Sequence, residues 1–192
     1  MKLLYLDTET TGLSEYKNGL VEIAGIIEID GEVKDVIDLA CAPFPQDEIS
    51  DYALETQGVT EAQMRAYEPP KKAYDALIAT MSRHVNRYDK ADKFVFIGYN
   101  IQFDIKFLEK FFEKHDDKYF GSWCNRRSMD IMSMLYWWKY RTGVELENWK
   151  LGTVCEHFGI DLSNAHTALA DIKATRQLFR KLDGMMSLNI GG

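Results

Sequence analysis

The first 42 residues alternate between apolar and polar positions or form short apolar runs, a pattern typical of β-strands. Three such segments cover residues 2–7, 19–30 and 32–42, and the Asp30–Gly31 pair predicts a tight turn between the second and the third. Strands joined by so short a turn are antiparallel neighbours. The pattern therefore predicts an antiparallel meander at the start of the chain.

From residue 47 onward most apolar positions recur with the helical period instead. Gly58 predicts the end of the first helix and Thr60 the cap of the second, while residues 93–100 predict a buried strand that leads directly into a helix. The predicted helices cover residues 47–58, 60–68, 71–88, 101–115, 128–140 and 166–182. Strands followed by strand–helix alternation predict an α/β fold with a mixed sheet and helices packed on it.

The length of 192 residues predicts one domain, over residues 1–183, followed by a short tail at 184–192. A hydrophobic content of 46% is sufficient for a substantial core. The sequence contains no apolar stretch near the length of a membrane span, and no signal-peptide pattern follows its start. We therefore expect a cytoplasmic protein that does not associate with a membrane.

The charge and the cysteines argue against two further classes of protein. The net charge of −7 is unlike that of proteins that hold long duplexes by bulk electrostatics, although it allows local binding of a short piece of nucleic acid. Cys41, Cys124 and Cys155 have no zinc-ligand spacing and are odd in number. We interpret them as buried thiols.

Two acids follow the first predicted strand without a break. Asp7 and Glu9 are two residues apart, so on an extended strand their side chains share one face, with Cα atoms about 6–7 Å apart. Two such carboxylates repel each other unless a cation lies between them. The alternative is that a solvent-exposed loop begins at Asp7 and both acids are simply hydrated.

A third acid interrupts the apolar face of a predicted helix. On the helical wheel Asp104 falls within the arc that includes Ile101, Ile105 and Leu108. Burying a carboxylate there is costly without a partner, which indicates a function. The alternative is that Asp104 only complements the helix dipole from the first turn.

The last predicted helix carries a fourth acid and a histidine. Asp171 lies at the edge of the apolar arc near Leu178 and Leu182, and His166 lies five residues earlier, at the helix entrance. That spacing suits two different roles, an ion ligand for Asp171 and a proton acceptor for His166, whose side chain titrates near neutral pH. Taken alone, His166 also fits an ordinary surface residue.

Together the four acids form an oxygen-rich set, which selects hard cations such as Mg²⁺ or Mn²⁺. Two such ions about 4 Å apart are able to assist an in-line phosphoryl displacement. The residues therefore indicate metal-dependent phosphodiester hydrolysis.

Three segments resemble, in order, the exonuclease motifs of the DEDDh family of 3′–5′ exonucleases, which are DnaQ-like enzymes with a ribonuclease H-like fold. The segments are DTETTGL, YNIQFD and HTALAD, and the match extends over residues 7–171. The resemblance implies a central mixed sheet of five strands flanked by helices. The histidine five residues before the last motif aspartate (His-x4-Asp) is similar to the histidine type of this superfamily rather than the tyrosine type.

The resemblance also implies roles for individual residues. Asp7, Glu9, Asp104 and Asp171 would ligate two Mg²⁺ or Mn²⁺ ions, and His166 would be the general base. The implied substrate-binding residues are Thr10, Gly12, Leu13, Asn100 and Phe103. The implied activity is removal of nucleoside monophosphates from the 3′ end of single-stranded or frayed nucleic acid, with DNA favoured over RNA.

Two alternatives remain open at this point. One is a phosphodiesterase for short oligonucleotides or small nucleotides, similar to an oligoribonuclease, and the other is a non-catalytic nucleic-acid-binding module. The aromatic segment 119–149 fits core packing better than base stacking, but it also fits contact with a second copy of the chain or with a separate polymerase-type partner.

Overall fold

The computed structural model describes residues 1–162 and 167–187, and its centre is a mixed sheet. The strands are β1 (Lys2–Thr10), β2 (Leu20–Ile29), β3 (Glu32–Ala40), β4 (Val95–Gly98) and β5 (Met129–Asp130). Their order in the sheet is β3-β2-β1-β4-β5. The first three strands are antiparallel neighbours, whereas β4 is parallel to both β1 and β5. The predicted meander and mixed five-stranded sheet are therefore confirmed.

Helices cover both faces of the sheet. They are α1 (Asp51–Gln57), α2 (Glu61–Arg65), α3 (Pro70–Ser82), α4 (Ile101–Glu113), α5 (Ile131–Thr142), α6 (Leu151–His157) and α7 (Ala168–Ser187). Residues of α3 and α4 form one buried cluster with Leu4 and Leu6 of β1. Residues of α5, α6 and α7 form a second cluster with Leu3 and Tyr5. Alternate residues of β1 thus face the α4 side and the α7 side.

The predicted ends of the first two helices are confirmed. Gly58 follows α1 in the left-handed conformation, with φ of 66°, and its N–H donates to carbonyls of the last turn. Thr60 caps α2 in a capping box with Gln63. These local signals fix the short helical region that lies beside the end of β1.

The structure differs from the sequence-based elements at several places: β1 runs on to Thr10, α1 begins only at Asp51, and α3 ends at Ser82, so residues 83–88 of the expected helix are not helical. Residues 128–140 were expected to form one helix, but Met129 and Asp130 pair with Ile97 and Gly98 as the edge strand β5. The last helix continues to Ser187, so residues 184–187 of the expected tail are helical. Within the described residues, no helix combines the length and the apolar character needed to cross a bilayer.

The three cysteines are buried and form no disulfide, as expected.

Candidate active site

Asp7 and Glu9 lie inside strand β1, which continues through Thr10. Asp7 is opposite Ala24 and Glu9 is opposite Glu22 in the antiparallel ladder with β2. Both acids are partly buried, so the alternative of a solvent-exposed loop beginning at Asp7 is wrong. Because they follow Leu3 and Tyr5 at the same parity, both side chains face the α7 side of the sheet.

Helix α7 brings a third carboxylate to this place. Asp171 is in its first turn, and carboxylate oxygens of Asp7, Glu9 and Asp171 lie within 4.8 Å of one another. We call these three residues the acid cluster. The structure thus brings together three of the four acids that the sequence indicates as ion ligands.

Asp104 approaches from the opposite side of β1. It is 4% exposed, and its Oδ1 accepts hydrogen bonds from the Thr8 backbone N–H at 3.0 Å and from the Thr8 hydroxyl at 2.8 Å. Its charge is among the causes that raise the pKa of Asp7. Asp104 is therefore more than a first-turn acid in water: it fastens α4 to β1 and adds negative charge beside the acid cluster.

Burial and mutual repulsion make ionisation of these acids unfavourable. The pKa of Asp7 is raised well above its ordinary value by burial first, and then by Asp104, Glu9 and Asp171. The pKa of Glu9 is raised to about 7 by burial, Glu22 and Asp171. Burial also raises the pKa of Asp104 to about 7, even though its bonds to Thr8 favour the charged form. Burial and neighbouring carboxylates thus act in the same direction on Asp7 and Glu9.

Such a site fits a divalent cation. Its donor atoms are carboxylate oxygens, which are the ligands of hard cations, and three of them lie within 4.8 Å of one another. Within residues 1–162 and 167–187, neither Asp7 nor Glu9 forms a salt bridge. His166, the expected general base, lies outside the described residues.

Glu22 is a further acid of this region that the sequence analysis missed. It lies opposite Glu9 on β2, and its carboxylate accepts the backbone N–H of Ala168, the first residue of α7. Burial and then the charge of Asp38 raise its pKa. The signal was present only in the strand register, because a Glu within a mostly apolar strand does not reveal which residue is opposite.

The expected substrate-binding residues at the end of β1 begin a tightly held loop. The Thr10 hydroxyl donates to the Gly12 carbonyl at 2.7 Å. A Cβ on Gly12 would lie 2.6 Å from the Asn18 side chain, so this position requires glycine. Leu13 is 78% exposed and projects from the loop into solvent.

The other two expected substrate-binding residues lie just before Asp104 in the chain, Asn100 at the N-cap of α4 and Phe103 in its first turn. Asn100 is left-handed, with φ of 63°, and its N–H donates to Oδ1 of Asp130. Phe103 is partly buried, and its ring centre is 4.8 Å from that of Phe107. Asp130 therefore fixes the turn from β4 into α4, a role that the sequence analysis did not identify.

The aromatic segment contributes mainly to packing. Trp123 and Trp138 are 1% and 8% exposed, and Trp149 stacks on Tyr136 with ring centres 5.7 Å apart. Trp137, at 41%, is the most exposed of the tryptophans. The interpretation as core is correct for Trp123 and Trp138.

Comparisons with known proteins agree with this geometry. A family model described as Exonuclease (RNase_T) matches residues 4–179. The DNA polymerase III PolC-type protein of Caldanaerobacter subterraneus subsp. tengcongensis is 26% identical over 184 residues, covering 94% of this chain and 11% of that protein.

Solved structures share the fold. E. coli Exonuclease I in complex with a dT13 oligonucleotide has a TM-score of 0.74 at 19% identity, over 94% of this chain and 40% of that chain. Exonuclease I from Methylocaldum szegediense has a TM-score of 0.73 at 21% identity, over 94% of this chain and 40% of that chain. The chain thus spans a small part of the PolC-type relative and less than half of these Exonuclease I chains.

Proposed function

Since the chain belongs to the RNase_T exonuclease family, we propose that it is a metal-dependent 3′–5′ exonuclease. It removes nucleoside monophosphates from the 3′ end of single-stranded or frayed DNA. The observation that carries this proposal is the convergence of the Asp7, Glu9 and Asp171 carboxylates within 4.8 Å. A protein that only bound nucleic acid would gain nothing from concentrating negative charge where phosphates must approach.

The acids would hold two Mg²⁺ or Mn²⁺ ions, with Asp7, Glu9, Asp104 and Asp171 as the ligands. Bound there, the ions would supply a nucleophilic water at neutral pH and stabilise the leaving oxygen. The buried Thr8–Asp104 link holds α4 at β1, so the ligands on the two sides of β1 keep a fixed separation. This preorganisation is the contribution of the fold to the proposed site.

The remaining roles concern the substrate and the proton. His166 would accept the proton of the attacking water, since a neutral imidazole is a base near pH 7. Thr10, Gly12 and Leu13 would contact the terminal nucleotide from one side, and Asn100 and Phe103 would border it from the other. Leu13 is suited to this because an exposed apolar side chain on a fixed loop is able to pack against a base.

The preference for DNA and the partners belong to the same proposal. Exonuclease I binds a dT13 oligonucleotide in the solved structure, and the PolC-type relative is a DNA polymerase by name. We therefore take a single-stranded DNA 3′ end as the substrate, and a separate polymerase as the candidate protein partner.

The test is a time course with 5′-labelled single strands of DNA and RNA of equal sequence, in Mg²⁺, Mn²⁺ or EDTA. We expect a ladder that shortens from the 3′ end only with metal, and faster on DNA. The variant Asp7→Asn is the inactive control. Absence of shortening in every metal would contradict the proposal, and shortening confined to the shortest oligomers would favour the short-oligonucleotide alternative.

The role of His166 has its own test. His166→Ala should lower kcat by roughly 100-fold or more, because a general base contributes about 10²–10⁴. The affinity for Mg²⁺, measured by calorimetry, should change little if His166 is not a ligand. Loss of Mg²⁺ binding in this variant would instead assign His166 to the ion site.

A further inference from the structure

The loop between β1 and β2, residues 11–19, is braced by many hydrogen bonds. Thr11 N–H donates to the Gly19 carbonyl, and the Thr11 hydroxyl accepts from Gly19 N–H and donates to the Glu48 carbonyl. The Asn18 side chain accepts from Ser14 N–H at 3.0 Å and donates to the same Glu48 carbonyl at 2.9 Å. The loop therefore has a fixed shape before any ligand binds.

This rigid loop nevertheless presents two large side chains to solvent. Leu13 is 78% exposed and Tyr16 is 74% exposed. Leu13 already has a place in the proposed function, whereas Tyr16 has none. A fixed loop loses little conformational entropy on binding, so an aromatic ring displayed on it is preorganised for contact.

Helix α4 places a cation on the Tyr16 ring. The Lys110 ammonium is 4.9 Å from the ring centre, and it also donates to Glu113 at 2.6 Å. Lys110 follows Asp104 by six residues, which corresponds to about 9 Å along the helix axis. Lys110 thus joins the Tyr16 ring to the helix that carries Asp104, a proposed ion ligand.

We propose that Tyr16, supported by Lys110, is a second nucleotide subsite. It stacks on a base upstream of the terminal nucleotide and so makes the enzyme favour single strands over mononucleotide esters. A ring with a cation over one face keeps its other face for a base, and stacking of a base on an aromatic ring tolerates any sequence. This inference rests on the proposed exonuclease function.

The experiment compares kcat/KM for oligodeoxynucleotides of two to eight nucleotides with that for p-nitrophenyl thymidine 5′-monophosphate, which has no upstream base. Tyr16→Ala should lower the ratio of the octamer value to the ester value by roughly tenfold. Tyr16→Phe should keep the ratio, because the ring remains. Tyr88→Ala is the matched surface control, since Tyr88 is 89% exposed and lies on a different segment.

The outcomes separate this inference from the proposed function. An active wild-type protein whose length preference is the same in Tyr16→Ala overturns the subsite alone. An equal loss on the ester and the octamer also overturns it, because Tyr16 would then act on the terminal nucleotide. A wild-type protein that cleaves none of the substrates overturns the proposed function and the subsite with it.

Discussion

Strand β2 and helix α7 hold acidic side chains at two places, which differ in the charged side chains that lie around the acids. Toward one end, Glu28 is 1% exposed and both of its carboxylate oxygens are paired with arginines of α7. Arg176 donates to it at 2.9 Å, and Arg180 binds the other oxygen. Toward the other end, Glu22 lies opposite Glu9 and Asp171 lies close to it, and burial together with these two charges raises the pKa of Glu9.

The two places differ in how their negative charge is compensated. The fold is able to neutralise a buried acid, because α7 supplies two guanidinium groups to Glu28 within three turns of Asp171. The carboxylates of the acid cluster lie close to one another, and burial and neighbouring acids disfavour the ionisation of Asp7 and Glu9. The charge of Glu28 is thus compensated within the fold, whereas the acid cluster is the place where we propose that metal ions bind.

Asp7→Asn should give the largest effect on the acid-cluster side. We expect kcat/KM to fall by roughly 1,000-fold or more, because an ion ligand is lost where metal chemistry supplies several kcal/mol. Stability in EDTA should stay the same or rise, since one repelling charge is removed. Asp51→Asn, an exposed acid in the first turn of α1, is the control. A normal rate in Asp7→Asn would show that the acid cluster, like Glu28, is not required for catalysis.

Glu28→Gln, in contrast to Asp7→Asn, should lower the stability and leave the rate nearly unchanged. Removing this charge leaves two arginines facing a buried amide, so the free energy of unfolding should fall by about 2–3 kcal/mol. The rate per folded molecule should remain close to that of the wild type. Urea denaturation gives the first quantity and active-site titration the second. A selective loss of rate at unchanged stability would show that the arginine pairs position the site.

The smallest expected effect is the pH dependence of stability without metal. The pKa of Glu9 rises from 4.5 in the unfolded chain to about 7 in the fold, so the folded state binds more protons between these values. Stability in EDTA should therefore fall as pH rises through this window, and Asp104, whose pKa burial also raises to about 7, adds to the fall.

Thermal melts in EDTA across this pH range measure the effect. Mg²⁺ should reduce the fall, because it compensates the charges that form. Glu9→Gln should make the profile less steep, with the remaining slope due to Asp7 and Asp104, whereas Glu28→Gln should shift the whole curve downward without changing its slope. A wild-type profile that rises with pH would contradict the description of the acid cluster.

Local sequence signals were sufficient where one segment determines its own structure. The helical period located Asp104 on the buried face of α4, and Gly58 and Thr60 marked helix ends. Asp7 and Glu9 were assigned to one face by the period of the strand alone. These features depend on a few neighbours in the chain, and the structure agrees with each of them.

Other features required pairing between distant segments. Strand β5 has two residues, too few for any period, and it exists because the end of β4 offers it hydrogen bonds. Glu22 becomes part of the acidic region only through its register opposite Glu9 and the approach of α7. The Asp104–Thr8 link joins residues 96 positions apart. No local pattern contains that information.

The Asp104–Thr8 link has an evolutionary consequence. A single carboxylate oxygen accepts both hydrogen bonds from Thr8 and so keeps α4 attached to β1. Asparagine retains such an oxygen while it abolishes the charge, and its codons differ from those of aspartate by one base. With Asp104 as an ion ligand, as we propose, a descendant of this protein would need one point mutation to lose activity while keeping its architecture, free to evolve as a binding protein.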